Sequence, residues 1–320
     1  MPVFEEGAGL YRIPVFTPFD TPETNVYVFR GDRTGLVDTG IRHPKTRDDL
    51  LCGLRTLGIE RADVDLIVVT HAHVDHHGLA GDFAGSDVLV GRRDLDRVRE
   101  FSKSVRADLE DVHGLLEPWG VPASLAGSLD DLFGVFLGMA GSVPDAVGVD
   151  GTAVLGGLGP DLQVIELPGH TEGLIGLFRA ADGLLISSDH LLSDITPNPG
   201  LYISEGGKAR SGLPDYVRSL ATVRDLPVRR ALPGHGPSFG DVPSRIDAIL
   251  AHHEIRLEDV RAAAGRGRTI FEISARMFPG LGADHSYLAL REVYGHVEIL
   301  LEQGRLVRRK EGPVEIVEAA

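Results

Sequence analysis

The chain has a single cysteine, Cys52, among 320 residues, so no disulfide can form within it and the fold rests on a buried core. Cys52 lies where Leu50, Leu51, Leu54 and Leu57 keep helical spacing, which makes it a small hydrophobe of a helix face rather than a reactive thiol. No uninterrupted apolar run approaches the roughly 20 residues that cross a bilayer. The opening residues carry acids where a secretory signal needs positive charge, so a cytoplasmic protein without membrane contact is expected. Positive charge is also scarce: 32 Lys and Arg stand against 47 Asp and Glu, a formal net charge of −15. A field of that sign repels phosphates on approach, which argues against nonspecific binding to nucleic acid or anionic membranes. The glycines clustered over residues 148–159 show neither dinucleotide-binding nor P-loop spacing, so they read as turns.

What is present is the texture of a globular α/β protein. Apolar, β-branched runs recur with turn signals between them: "RIPVF", "NVYVF", "GLVDTG", "DLIVVTH", "DVLVG", "LQVIELPGH", "LIGLF", "GLLISSDH" and "RRALPGH". Helical patterns over 44–57 and 213–226 lie between some of them, which predicts two sheets with helices outside. Residues 94–148 interrupt this alternation with a helical insertion carrying Leu115, Leu116, Trp119, Leu132, Phe133, Phe136, Leu137 and Met139. Such a set packs an insertion onto the body of a protein, and as a lid it would give a site an apolar wall. After residue 244 the pattern becomes helix, helix, helix, then two strands about Glu311-Gly312-Pro313, a winged-helix-like order. The expected organisation is a domain over 1–244 and a second over 245–320. The tail holds 11 Lys and Arg against 12 Asp and Glu, and only Arg308, Arg309 and Lys310 support a nucleic-acid role, so packing or homo-oligomer contacts are the better reading.

Five predicted strands stop at a potential ligand: Asp38, His71, His170, Asp189 and His235. A strand ending this way presents its side chain at the rim of a sheet, so neighbouring strands can bring several such ends to one point. The two "LPGH" echoes fit, because a glycine permits a sharp turn just before the histidine. The densest feature is "THAHVDHHG" at 70–78, where four of the 13 histidines and an aspartate follow a buried strand. His71 and His73 are two apart and point to the same side of an extended segment, while Asp75 and His76 follow as the chain turns into a helix. Imidazole and carboxylate are ligands suited to zinc, iron or manganese. His77 and His190 adjoin these residues and are expected to support the site or face solvent; His252 and His253 fall on a helix, where packing is the default.

These residues resemble the metallo-β-lactamase superfamily, whose H-x-H-x-D-H signature is matched by His71, His73, Asp75 and His76, with the downstream elements at His170, Asp189 and His235. The resemblance spans about three quarters of the chain in the right order. It implies an αββα sandwich with a dinuclear centre at the sheet edge: one ion on His71, His73 and His170, the other on Asp75, His76 and His235, and Asp189 bridging. Asp38 would orient a ligand imidazole from behind. Two divalent ions, zinc with iron or manganese as alternatives, would share a hydroxide that attacks an ester-like bond of a small-molecule substrate, with Asp75 orienting it. A bridging Asp189 is more similar to the glyoxalase II and lactonase-like branches than to true β-lactamases. The helix-rich tail resembles β-lactamase-like protein 2, which keeps phosphodiester or RNA hydrolysis as an alternative. A mononuclear-iron sulfur dioxygenase is the second.

Overall fold

Each apolar run quoted above forms a strand in the computed structural model, which describes residues 2–7, 9–159, 162–204, 208–281 and 283–320. The first sheet runs in chain order: β1 (Phe4–Gly7), β2 (Leu10–Val15), β3 (Thr24–Arg30), β4 (Thr34–Val37), β5 (Leu66–Val69), β6 (Asp87–Gly91) and β7 (Val147–Val149). It is antiparallel as far as β4 and parallel beyond it. Helix α1 (Pro44–Thr56) makes the crossover from β4 to β5; the His43 side chain caps it by accepting from the Lys45 amide, and Pro44 fits its first turn because that position needs no amide donor. The short α2 (Val74–His77) follows β5. The insertion between β6 and β7 folds as α3 (Leu95–Arg99), α4 (Phe101–Leu116) and α5 (Ala123–Met139).

The second sheet starts with the antiparallel β8 (Leu162–Glu166), β9 (Ile175–Arg179) and β10 (Leu184–Ser188). A small ribbon, β11 (Leu201–Ser204) with β12 (Lys208–Ser211), and helix α6 (Leu213–Asp225) then lead to β13 (Arg230–Pro233), which pairs parallel with β10. The sheets face each other through Tyr27, Phe29, Val68, Val164, Leu177 and Ile186. Leu50 and Leu54 of α1 cover the outer face of the first sheet, and Tyr216 and Leu220 of α6 cover that of the second. This is the αββα sandwich. Strands buried on both faces, such as β3 and β5, read as continuous apolar runs for this reason.

The tail follows the expected order: α7 (Val242–Ala264), α8 (Ile270–Met277), α9 (Ala283–Glu302), then β14 (Leu306–Glu311) and β15 (Val314–Ala319). It does not stand apart from the insertion. Phe101, Trp119 and Phe133 share one core with Leu257, Ile273, Val293, Val297 and Leu300, and the Trp119 and Tyr294 rings lie 4.8 Å apart. Burying each of these side chains stabilises the fold by about 1.5–3 kcal/mol, so the insertion and the tail are packed together. Helix α7 joins the cores, with Ile246 and Ile249 on the sheet side and Leu257 and Val260 on the helical side. Cys52 is on α1 as expected but only half-buried. Among the described residues no helix is long and apolar enough to cross a membrane.

Candidate metal centre

The parallel half of the first sheet aims the ends of β4 and β5 at the same rim as the ends of β8, β10 and β13 of the second. All eight residues singled out from the sequence meet there. His71 leaves β5, and His73, with extended backbone, precedes α2, whose single turn carries Asp75 and His76. The helix thus begins within the histidine motif itself. His71, His73 and His170 bring one ring nitrogen each within 4.8 Å of one another, and so do the ligand atoms of Asp75, His76 and His235. His71 Nε2 lies 3.0 Å from His73 Nδ1, and His170 Nε2 lies 2.9 Å from it. Asp189 sits between the trios: its Oδ2 is 3.5 Å from His170 Nε2, 3.6 Å from His76 Nε2 and 3.5 Å from His235 Nε2. Asp75 Oδ2 lies 3.3 Å from His235 Nε2.

The nitrogen pointing away from the centre is held in most of these rings. His76 Nδ1 donates to Asp38 Oδ2 at 2.8 Å, His170 Nδ1 to the Asn198 carbonyl at 2.9 Å, and His235 Nδ1 to the Pro22 carbonyl at 3.0 Å. In the neutral ring, an outer N–H fixed in this way leaves the inner nitrogen as the one with a lone pair, which is what a cation needs. His71 Nδ1 lies 3.2 Å from the Thr70 hydroxyl and 3.4 Å from that of Ser188. The donors therefore fit divalent cations, and two buried atoms show the demand directly: His76 Nε2 and Asp189 Oδ1 have no hydrogen-bond partner among the described residues. Burying unpaired polar atoms is costly unless something else satisfies them.

Charge points the same way. Burial pushes His71, His73 and His170 below the ordinary imidazole range, so these three are neutral at pH 7. Burial also disfavours charge on His235, yet Asp189 and Asp75 outweigh it and raise its pKa to about 10. His76 is likewise raised despite burial, by Asp189, Asp38 and Asp75. Burial favours a proton on Asp189 and Asp75, but His235 and His76 hold both carboxyls well below the carboxylate range. Without metal the centre balances its carboxylates with imidazolium protons, and those protons mark where cations are wanted.

The glycines of the two LPGH turns have different reasons. Gly169 takes φ +142, a conformation that L side chains rarely adopt, as a sharp turn requires. Gly234 has no positive φ; a Cβ there would collide with Asp189 Oδ1 and crowd His76. His77 is buried and donates from Nδ1 to the His73 carbonyl at 2.9 Å, while its ring stacks edge-on with Phe101 of the insertion at 5.1 Å. His190 is also fully buried, so neither faces solvent.

Sequence reasoning missed Asp94, the first residue of the insertion and another acid just beyond a strand. It is buried and accepts from the Ala72 amide, the Thr171 hydroxyl and the Gly173 amide at 2.9, 2.7 and 2.9 Å, tying the His71–His73 loop to the loop after His170. Asp38 does more than orient His76. It adopts φ +61 and accepts from the Thr70 amide and hydroxyl, which fixes the turn before His71.

Fold and centre together define a metallo-hydrolase. The chain belongs to the metallo-beta-lactamase superfamily, whose family model matches residues 20–235. It is 28% identical over 310 residues to the probable metallo-hydrolase YqjP of Bacillus subtilis (strain 168), covering 94% of each chain. It is 25% identical over 244 residues to a beta-lactamase-like protein 2 homolog of Caenorhabditis elegans, covering 76% of this chain and 66% of that one. Among solved structures, a metallo-beta-lactamase family protein from Thermus thermophilus is similar with a TM-score of 0.84 at 29% identity, covering 98% of this chain and 99% of the other.

Proposed function

We propose that this protein is a dinuclear metal-dependent hydrolase acting on an ester-like bond, a thioester or lactone of a small acyl substrate, with zinc as the resident metal. The observation that carries this reading is the position of Asp189, whose Oδ2 stands 3.5–3.6 Å from one nitrogen of His170 and one each of His76 and His235, so that a single carboxylate serves both ligand trios. Divalent ions bound there would supply the chemistry of a lowered water pKa and a polarised substrate oxygen. His71, His73 and His170 would hold one ion, and Asp75, His76 and His235 the other. The Asp75 carboxylate, kept ionised by His76 and His235, accepts a hydrogen bond from the attacking water and orients it. Asp38 and the carbonyls of Pro22 and Asn198 keep the imidazoles in the ligating tautomer.

A substrate approaches from the side of His73 and His170, which are only half-buried where His71, His76 and His235 are fully covered. Phe19, three residues before Pro22, meets Phe136 of α5 edge-on at 6.4 Å, an apolar corner that would shield a substrate carbonyl from water if the substrate lies against it. The near-neutral tail after residue 244 serves to pack the insertion, with which it shares a core. The resemblance of the helix-rich tail to β-lactamase-like protein 2 keeps RNA as the second substrate class, against which the net charge of −15 counts.

The test is turnover by protein of known metal content across thioesters, lactones, β-lactams and RNA. Two zinc ions per chain with thioester or lactone hydrolysis is the expected result. RNA cleavage with no acyl hydrolysis overturns the substrate assignment, and one iron per chain with sulfide-dependent oxygen uptake overturns the reaction class.

A further inference from the structure

A second group of ligand-type side chains lies where α7 packs on α9. His252 and His253 are consecutive on α7, and Glu292 stands one turn before His296 on α9. One ring nitrogen from each of His252 and His253 and one carboxylate oxygen of Glu292 come within 4.8 Å of one another. We propose that these three residues form a separate site for a zinc-type divalent ion that clamps α7 to α9.

The hydrogen bonds around His253 prepare it as a ligand. His296 Nδ1 lies 2.7 Å from the Glu292 backbone carbonyl, and a carbonyl only accepts, so this nitrogen carries the proton. A neutral His296 then offers Nε2 as an acceptor, and His253 Nδ1, 3.1 Å away, must donate to it. The other nitrogen of His253, Nε2, is left with a lone pair. It is buried in a residue only 3% exposed and has no hydrogen-bond partner among the described residues. As in His76, His170 and His235, one ring nitrogen is held by a neighbour and the other is free. Burial keeps both rings neutral, pushing His253 down to about 3 and His296 to about 4.

Glu292 supplies the carboxyl donor; burial raises its pKa to about 7 against the pull of Arg256 and Arg291, and a bound cation would hold it ionised. Its Oε1 lies 4.0 Å from His252 Nε2, 3.7 Å from His296 Nδ1 and 3.7 Å from Arg256 Nε. These separations are too long for hydrogen bonds and leave room for a cation to draw the donors to its own bond length of ~2.0–2.2 Å, by small rotations of His252 and Glu292. Arg256 is the competing cation, but its Nη1 stands 3.9 Å from Asp259 Oδ2, so the guanidinium has a second carboxylate to turn to. The His252 side chain is 39% exposed, which gives an ion a route in and a water a place in the fourth position. The site lies where α7 passes from the sheet-side core to the helical core. His253 also packs edge-on against Tyr216 at 5.8 Å, and the Tyr216 hydroxyl donates to the carbonyl of His190, next to Asp189, at 2.9 Å. An ion here braces the wall behind the main centre without entering it.

The experiment compares the wild-type protein with His252→Ala and Glu292→Gln after equilibrium dialysis against zinc buffered at one free concentration, counting ions per chain by elemental mass spectrometry. His252 is half-exposed, so its replacement leaves the fold intact. The wild type is expected to hold one zinc more per chain than either variant, and zinc is expected to raise its unfolding temperature more. Because the readout is a difference, it holds whatever number the main centre takes. Equal zinc content and equal thermal shifts in wild type and His252→Ala overturn the proposal, and retention of the extra ion by Glu292→Gln removes Glu292 from it.

Discussion

Replacing Asp38 with Asn probes the logic of the centre without touching a proposed ligand. Asp38 has φ +61, and Asn is among the few residues that tolerate that conformation, so the backbone is undisturbed. One amide oxygen can still accept from the Thr70 amide, now at 2.8 Å. The other carboxylate oxygen becomes an NH2 group facing His76 Nδ1, also at 2.8 Å, and two donors cannot face each other. The ring resolves the clash by moving its proton to Nε2, the nitrogen that faces Asp189 and Asp75, and an N–H there cannot bind a cation. Loss of such a supporting partner costs ~10–100-fold in metal affinity, equivalent to about 1.4–2.8 kcal/mol at 1.4 kcal/mol per tenfold. Competition between the protein and a chromogenic zinc chelator measures this. The weakening should fall on one of the two ions, the one assigned to Asp75, His76 and His235. Wild-type affinity at both positions would refute the tautomer argument.

Three further substitutions follow from the same geometry. Asp75→Ala should abolish turnover and release one ion per chain while the far-ultraviolet circular dichroism stays unchanged; hydrolysis at the wild-type rate would show that Asp75 has no catalytic part. Gly234→Ala places a methyl group against Asp189 Oδ1 and His76, so metal content measured by elemental analysis should fall at both positions, and a fully loaded variant would show that the site yields more than the packing allows. Asp94→Ala strands the amides of Ala72 and Gly173 in the interior at ~1–3 kcal/mol each, so urea unfolding should report a loss of about 3 kcal/mol; an unchanged midpoint would mean that water replaces the carboxylate.

Much of this was legible in the sequence because strands buried on both faces and strand-end ligands both leave local marks. "VVTHAHVDHHG" announces a buried strand, a turn and a dense donor set within eleven residues, and each of the nine apolar runs became a strand. What escaped was non-local or weakly encoded. The three-residue β7 and the β11–β12 ribbon bury too little to impose a pattern. Asp94 looks like any polar residue opening a helical segment, and its role depends on loops that follow β5 and β8. The shared core of insertion and tail joins residues such as Trp119 and Tyr294 that are far apart in the chain, so each helix could be read singly while their partnership could not. The glycine of the second LPGH turn was legible as a glycine, but its reason, room for the Asp189 carboxylate, exists only in three dimensions. His252 and His253 read as packing residues on a helix until α9 placed Glu292 and His296 opposite them.

Anomalous diffraction from zinc-loaded crystals, collected at the zinc edge, would locate the ions. Two peaks ~3.5–4 Å apart are expected at the rim of the two sheets, one within bonding distance of His71, His73 and His170, the other of Asp75, His76 and His235, with Asp189 reaching both. A single peak, or a pair from which Asp189 stands away, would contradict the dinuclear centre.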